Sequence, residues 1–515
     1  MINLDAKELP EGKRLPSLTE ALIPIISIGL LLGIGYGLFE VEVEVLLLTG
    51  AVIAALVGKR LGYTYHEMQD GINKSIYKSM TALLIVNVVG SLIAAWIACG
   101  TIPMLIYWGL HIIMPEYFLV TACILCSIVS IITGTSWGTV GTIGVALMGI
   151  GTGLGIDPAP AAGAIVAGSF FGDKISPFSD TTNLAPAAAR SNIYDHIKHT
   201  LWTTSPAFLL GLIVYQLLGG RAEGEGDTAT FDAISTGLTE NFVITGMVGL
   251  VLLIPPVITL GSAILKKPVI PSMLLSCLVA WFLAVGIQPH ATPERGQKHP
   301  YYTADTPETP PDERNNLHER LTLKAWPVVF PLHTMIEGYR IKTDVPEVNS
   351  LLNRGGMMSM VDTLLIALVA FAFGGIITET RMLDVILVAI LKFATSVGRL
   401  VLSTSLCSIL VALMTGSSYL SILIPGELFG KAFRDRGLAA KNLSRTTEDS
   451  GTVVVPLIPW SIAGVFMAAT LDVPVIQYAP WAVMCYTGVF FAIIYGFTGF
   501  KIAPRTRDDE TEAGS

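Results

Sequence analysis

The chain has 515 residues, 52% of them hydrophobic and 14% charged, with a formal net charge of −8. Soluble globular proteins carry about a quarter charged residues, so that class is excluded, and the acidic balance, much of it in loops, argues against a nucleic-acid partner. What remains is an all-α polytopic membrane protein whose surroundings are a lipid bilayer.

The polar N-terminal segment, 1–20, begins MINLDAKELPEGKRLP. The apolar run after it lacks a small-residue cleavage site, so the first helix is expected to stay in the protein. Further apolar runs at 45–57, 201–218, 242–260 and 484–500 join the one at 21–38. At roughly 20 residues per crossing, about eleven to thirteen membrane helices are expected, some short or broken. Strand-type alternation is absent, which excludes a barrel. Lys7, Lys13 and Arg14 precede the first helix and Lys59, Arg60, Lys74 and Lys78 follow the second, while Glu40, Glu42 and Glu44 lie between. The positive-inside bias then places the N-terminus in the cytoplasm of a protein of the plasma (inner) membrane.

Two hydrophobic halves, 21–219 and 241–500, flank a polar connecting loop, 220–240, and a cytoplasmic tail, 501–515, ends the chain. A Pro-rich, charged loop at about 286–325 is too polar for the bilayer core. The six Cys all lie in apolar runs and read as buried hydrophobes.

Each half carries the same short signature, TGTSW at 133–137 and TGSSY at 415–419. Each signature is followed by a polar break, SPFSDTTNLAP in the first half and LSRTTEDSGTVVVPLIPW in the second. Matching interruptions in two halves point to a transporter built from structural repeats, with its site where the broken helices meet.

In GTSWGTVGTIG, 134–144, glycines permit unwinding, and hydroxyls such as Thr135 and Ser136 offer oxygens to a hard cation. The same composition equally describes a small-residue packing face. In FGDKISPFSDTTNLAP, 171–186, Pro177 and Pro186 interrupt helix and free carbonyls, and Asp180 stands among Ser179, Thr181, Thr182 and Asn183. An ionised carboxylate at membrane depth costs about 2.5–3.5 kcal/mol and persists only with a partner or a task, so this set reads as a Na+ cage. Asp173 and Lys174 admit three readings: gate, substrate contact or interfacial charge pair. In the second half Glu448, Asp449, Ser450 and Thr452 repeat the theme beside Arg445, with a cytoplasmic loop as the alternative, and Ser417 and Ser418 mirror Thr135 and Ser136. A carboxylate that holds either H+ or Na+ couples the two ions by competition, with no further chemistry and no cofactor.

On GTSWGTVGTIG, AGSFFGDKISPFSDTTNLAP, LLNRGGMMSMVDTLLIALVAFAFGGII (351–377), LSRTTEDSGTVVVPLIPW and GTIPMLIYWG (100–109), the chain resembles the NhaC family of Na+/H+ antiporters, within a wider superfamily of ion transporters. The resemblance implies a secondary transporter, not an enzyme, with an inverted repeat, a dimerising scaffold and a transport region of re-entrant hairpins and unwound helices that moves like an elevator. It also makes 179–181 and 449–452 look like hairpin tips that bind Na+. Some members resemble exchangers of malate and lactate or of amino acids. For a small organic acid, Lys174, Arg445 and Asn87 are candidate contacts. An intramembrane aspartyl protease is disfavoured because Gly172-Asp173 lacks the preceding glycine of a GxGD motif, and no G-x-x-x-x-G-K-[ST] run suggests ATP drive.

Overall fold

The computed structural model describes residues 12–219, 228–288 and 328–505. The Pro-rich loop lies almost wholly outside them, as do most of the tail, residues 1–11 and 220–227 of the connecting loop. The rest of that loop is a helix, Thr228–Asn241, whose Phe231 packs edge-on against His111 at 5.2 Å between ring centroids.

Among the described residues the chain is helical, apart from an isolated bridge between Leu438 and Pro504. Eight helices are long and apolar enough to cross a membrane, or ten if two bent pairs are counted as single spans. The shortfall against eleven to thirteen lies partly in apolar helices too short to cross, Thr101–Ile112 and Val328–Glu337. Wide apolar faces stay exposed, as on Leu18–Phe39, which suits helices solvated by lipid. The polar stretch at the N-terminus is tied to the turn after the second helix: the Arg14 amide donates to Leu61 O at 3.2 Å, and Lys13 pairs with Glu67. These two basic regions therefore share one side of the bundle.

Two pairs of interrupted elements form the centre. The first hairpin is Phe118–Thr133 followed by a return arm, 136–153, that includes a π-helical stretch, Val140–Gly144. The first broken span is Pro158–Ile175, a break at 176–179, and Asp180–Ala189. In the second half the hairpin is Val397–Thr415 with Ser418–Asp435, and the broken span is Ala440–Gly451, a break at 452–461, and Ile462–Leu471. That last span bends by 45°.

Contact pairs give the directions. Gly168 and Gly172 lie against Cys123 and Ser127, so the first broken span runs parallel to the outgoing arm of its hairpin, while Gly151 against Phe118 shows the return arm running back. The crossing helix Ile193–Gly219 meets Ser444 through His196, Asp449 through Thr203, and Gly163 through Tyr215. It therefore runs with the second broken span and against the first. The two spans enter from opposite sides of the bundle, which is an inverted repeat.

Candidate functional site

Both hairpins turn on the same backbone device. Thr133 and Thr415 end their helices, Gly134 (φ 69°) and Gly416 (φ 62°) adopt the left-handed conformation, and the Thr135 and Ser417 side chains then cap the return arms. Each tip rests on the break of its own half. A Cβ at Gly134 would lie 2.6 Å from Phe178 Cβ, and Gly416 O accepts from the Ile462 amide at 3.2 Å. The tips are thus 133–136 and 415–418, whereas 179–181 and 449–452 belong to broken spans. The roles suggested by the family resemblance are exchanged, because a reversal of direction needs the positive φ that Gly supplies and neither SDT nor DSGT meets it at its own position. Gly134→Ala is expected to lower thermal stability in detergent more than Gly155→Ala, which has a similar φ of 71° but nothing within 4 Å of its would-be Cβ. Equal effects would show that packing against Phe178 is irrelevant.

The repeat also re-pairs the carboxylates. Asp173 and Asp449 are each the third-from-last residue before their break, and Ser179 and Ser461 cap the helix after it. Asp180 corresponds to Ile462, an apolar residue, so it is not the counterpart of Asp449.

Around the tips lies a cavity of about 1070 Å³. Thr135, Ser136, Asp173, Ser179, Asp180, Thr181, Asn183, Ser417, Ser418 and Thr452 all line it. Asp173 is buried and accepts a hydrogen bond from Ser136 Oγ at 2.8 Å. Asp180 is exposed, with Tyr419 Oη at 3.4 Å from its carboxylate. The side chains around Asp180 serve the broken backbone. Asn183 Nδ2 donates to the carbonyls of Pro177 and Ser179, Thr182 Oγ1 donates to that of Asp173, and Ser179 Oγ caps the Thr182 amide. Carbonyls freed by Pro177 are therefore satisfied by protein, and Pro186 lies inside the short helix after the break. In GTSWGTVGTIG, Thr139 and Thr142 likewise bond backward to carbonyls, leaving Ser136 as the hydroxyl that reaches a carboxylate.

A second group sits behind the cavity. Lys174 and Asp449, both fully buried, form an ion pair between the two halves, and Thr203 Oγ1 donates to the same Asp449 oxygen at 3.1 Å. Lys174 thus pairs across the repeat and not with neighbouring Asp173 as an interfacial pair would. Residues 442–451 are buried throughout, so this stretch is no surface loop. Glu448 has both carboxyl oxygens buried without a hydrogen-bond partner, and the Ser450 and Thr452 hydroxyls are similarly unpartnered. Arg445 turns away to Lys501 O at 3.0 Å. Asn87, half-buried on Tyr65–Ala98, is not among the cavity-lining residues.

The crossing helix supplies residues that the sequence motifs did not flag. His196 and His199 hydrogen-bond Ser444 and Asn442 at 2.9 and 3.2 Å. The signal was present: His196, His199, Thr200 and Thr203 fall at i, i+3, i+4 and i+7, one polar stripe along the buried face of this helix. The six Cys are buried and unbonded to one another.

Comparison with known proteins agrees with this architecture. The profile of the Na+/H+ antiporter family matches residues 17–182, 168–292 and 325–500. An uncharacterized Na+/H+ antiporter of Haemophilus influenzae is 42% identical over 95% of this chain and 98% of its own. The Na+/H+ antiporter NhaC of Alkalihalophilus pseudofirmus is 36% identical, covering 90% of this chain and 92% of its own. A malate-2H+/Na+-lactate antiporter of Bacillus subtilis is 33% identical, covering 94% and 96% respectively. With matches along nearly its whole length and the interrupted, inverted helices of a carrier, this chain belongs to the Na+/H+ antiporter family.

Proposed function

We propose that the protein exchanges Na+ for H+ by competition at intramembrane carboxylates, with Asp173 as the group that meets the cation. The supporting observation is the position of Asp173: a buried carboxylate on the cavity wall, beside a helix break and bonded to a hairpin-tip hydroxyl. Na+ prefers hard oxygen ligands, and Asp173 with Ser136 and the hydroxyls of Ser179, Ser418 and Thr452 offers that chemistry around the cavity. When H+ neutralises the carboxyl, the attraction for Na+ is lost, which couples the ions. The partner carboxylate, Asp449, is already neutralised by Lys174, so the two halves contribute unlike sites. Asp180 acts at the mouth: Asp180→Asn is expected to raise the half-saturating Na+ concentration by no more than about fivefold, the equivalent of the ~1 kcal/mol an exposed charge contributes. In proteoliposomes carrying a pH dye, an imposed Na+ gradient is expected to drive a counter-flow of H+; a Na+ gradient that leaves internal pH unchanged refutes the reading.

A second reading, exchange of a small carboxylate or amino acid coupled to Na+ and H+, is favoured by the cavity itself. Its volume of about 1070 Å³ exceeds what a bare ion occupies, and Lys78, Lys266 and Lys267 line it. These lysines suit an organic anion better than Asn87, which stands apart. Counterflow of labelled malate, lactate or amino acids distinguishes the readings, since a pure cation exchanger shows none. With the N-terminus in the cytoplasm of the plasma membrane, the cavity faces the cytoplasm, because Lys78 belongs to the basic side. The halves 21–219 and 241–500 then act as one transporter unit, and a homodimer completes the proposal, to be checked by light-scattering mass in detergent.

A further inference from the structure

We propose that an anionic phospholipid binds where the crossing helix meets the last helix, Val483–Thr498, with its phosphate held by Lys198 and Lys501, and that the bound lipid fastens residues 501–505 onto the second broken span. The two helices pack side by side in opposite directions, with Gly211 beside Val483 and the Tyr495 hydroxyl donating to Trp202 O at 3.2 Å. Along this pair Leu209, Ile213, Phe490, Ile494 and Phe497 each leave 51–60% of their surface uncovered. In a membrane protein the solvent for such faces is lipid hydrocarbon.

The polar end of the pair carries the charge complementary to a phosphate. Lys198 is exposed and precedes Trp202 by four residues, so the two share one helix face. Lys501 lies just past the end of the last helix and sets its ammonium 3.9 Å from the centroid of the Trp202 ring, onto which Phe500 packs edge-on at 6.3 Å. Exposed aromatic rings and lysines at helix ends are the composition of a membrane–water interface, and lysines placed there attract anionic headgroups. Asp195, the exposed carboxylate near Lys198, is taken by Lys441 at 3.2 Å. Among the described residues no carboxylate pairs with Lys198 or Lys501. A free phosphate would meet the lysines alone, whereas a lipid also covers the apolar faces.

Lys501 serves the interior as well. Its backbone is left-handed at φ 52°, uncommon for a residue with a side chain, and its carbonyl accepts from the buried Arg445 guanidinium at 3.0 Å. The other two guanidinium nitrogens of Arg445 are buried without a partner, so this bond is its anchor among the described residues. The segment continues as a strap. Ala503 exchanges hydrogen bonds with the Asn442 side chain at 2.8 and 2.9 Å and accepts from the Ala439 amide at 3.1 Å, and the Arg505 amide donates to Gly437 O at 2.8 Å. These bonds hold the start of Ala440–Gly451, the helix that carries Asp449 to the centre. A headgroup that ties Lys501 to Lys198 therefore ties the strap to the crossing helix, and through the strap the entry of the second broken span.

Added phosphatidylglycerol is expected to raise the melting temperature of the full chain in detergent beyond the rise given by phosphatidylcholine with the same acyl chains, while glycerol 3-phosphate gives none. Lys198→Gln combined with Lys501→Asn is expected to erase that difference, whereas Lys59→Gln, at an exposed lysine elsewhere, keeps it. Asn at 501 tolerates the left-handed backbone and leaves the carbonyl for Arg445. In nanodiscs, amide exchange over residues 439–446 is expected to be slower in phosphatidylglycerol than in phosphatidylcholine for the wild type and equal for the double variant. Equal responses of the wild type to the two lipids, stabilisation reproduced by glycerol 3-phosphate, a difference that survives the double substitution, or one lost equally in Lys59→Gln overturns the proposal. The first two comparisons use the wild type alone and stand even if the double variant does not fold.

Discussion

Replacing Lys174 by Met is expected to destabilise the protein by about 3–5 kcal/mol, the usual cost of breaking a buried ion pair from one side. The substitution removes the ammonium but leaves Asp449 fully buried, with Thr203 as its remaining donor. Thr203 gives one neutral hydrogen bond to a carboxylate whose other oxygen has no partner. The pair also bridges the two inverted halves, so its loss loosens the junction at which hairpins and broken spans meet. Lys174→Met combined with Asp449→Asn should recover much of the loss, because neutral replacement of both members of a buried pair is often close to cost-free. Thermal unfolding in detergent measures both. A Lys174→Met protein as stable as the wild type would mean that the pair does not hold the halves together.

Asp173→Asn is expected to abolish cation binding without unfolding the protein. The amide oxygen still accepts the Ser136 hydroxyl, and the substitution removes charge with little change in volume. In the wild type, Na+ at about 100 times its dissociation constant should stabilise the folded state by about 2.7 kcal/mol, visible as a rise in melting temperature over a choline control. In Asp173→Asn that rise should vanish while the choline melting temperature stays high. Persistent Na+ stabilisation would place the cation on another group.

Much of this arrangement was legible in the sequence, and the misreadings have a common physical cause. TGTSW and TGSSY announced the repeat because a reversal at membrane depth needs Gly in the left-handed region followed by a hydroxyl cap, a pattern specific enough to recur recognisably. The broken spans were legible from their prolines and charges. Sequence could not say which side chains serve the backbone: Thr182 and Asn183 look like ligands, yet they donate to carbonyls at the break. Nor could it pair Lys174 with Asp449, 275 positions away, when Asp173 stood next in the chain. Weight placed on Asp180 for its polar neighbours moves to Asp173 because burial, invisible in a motif, makes a carboxylate at membrane depth expensive and hence purposeful. The helix count ran high because interrupted and short segments contain apolar runs as dense as true crossings.

The proposed exchange of Na+ for H+ through Asp173 is open to direct test. Its most direct measurement is Na+-driven H+ flux in proteoliposomes of wild type, Asp173→Asn and Asp180→Asn at equal protein density. Robust flux is expected for the wild type, reduced Na+ affinity with flux retained for Asp180→Asn, and none above empty vesicles for Asp173→Asn. Undiminished flux in Asp173→Asn, with flux abolished in Asp180→Asn, would contradict it.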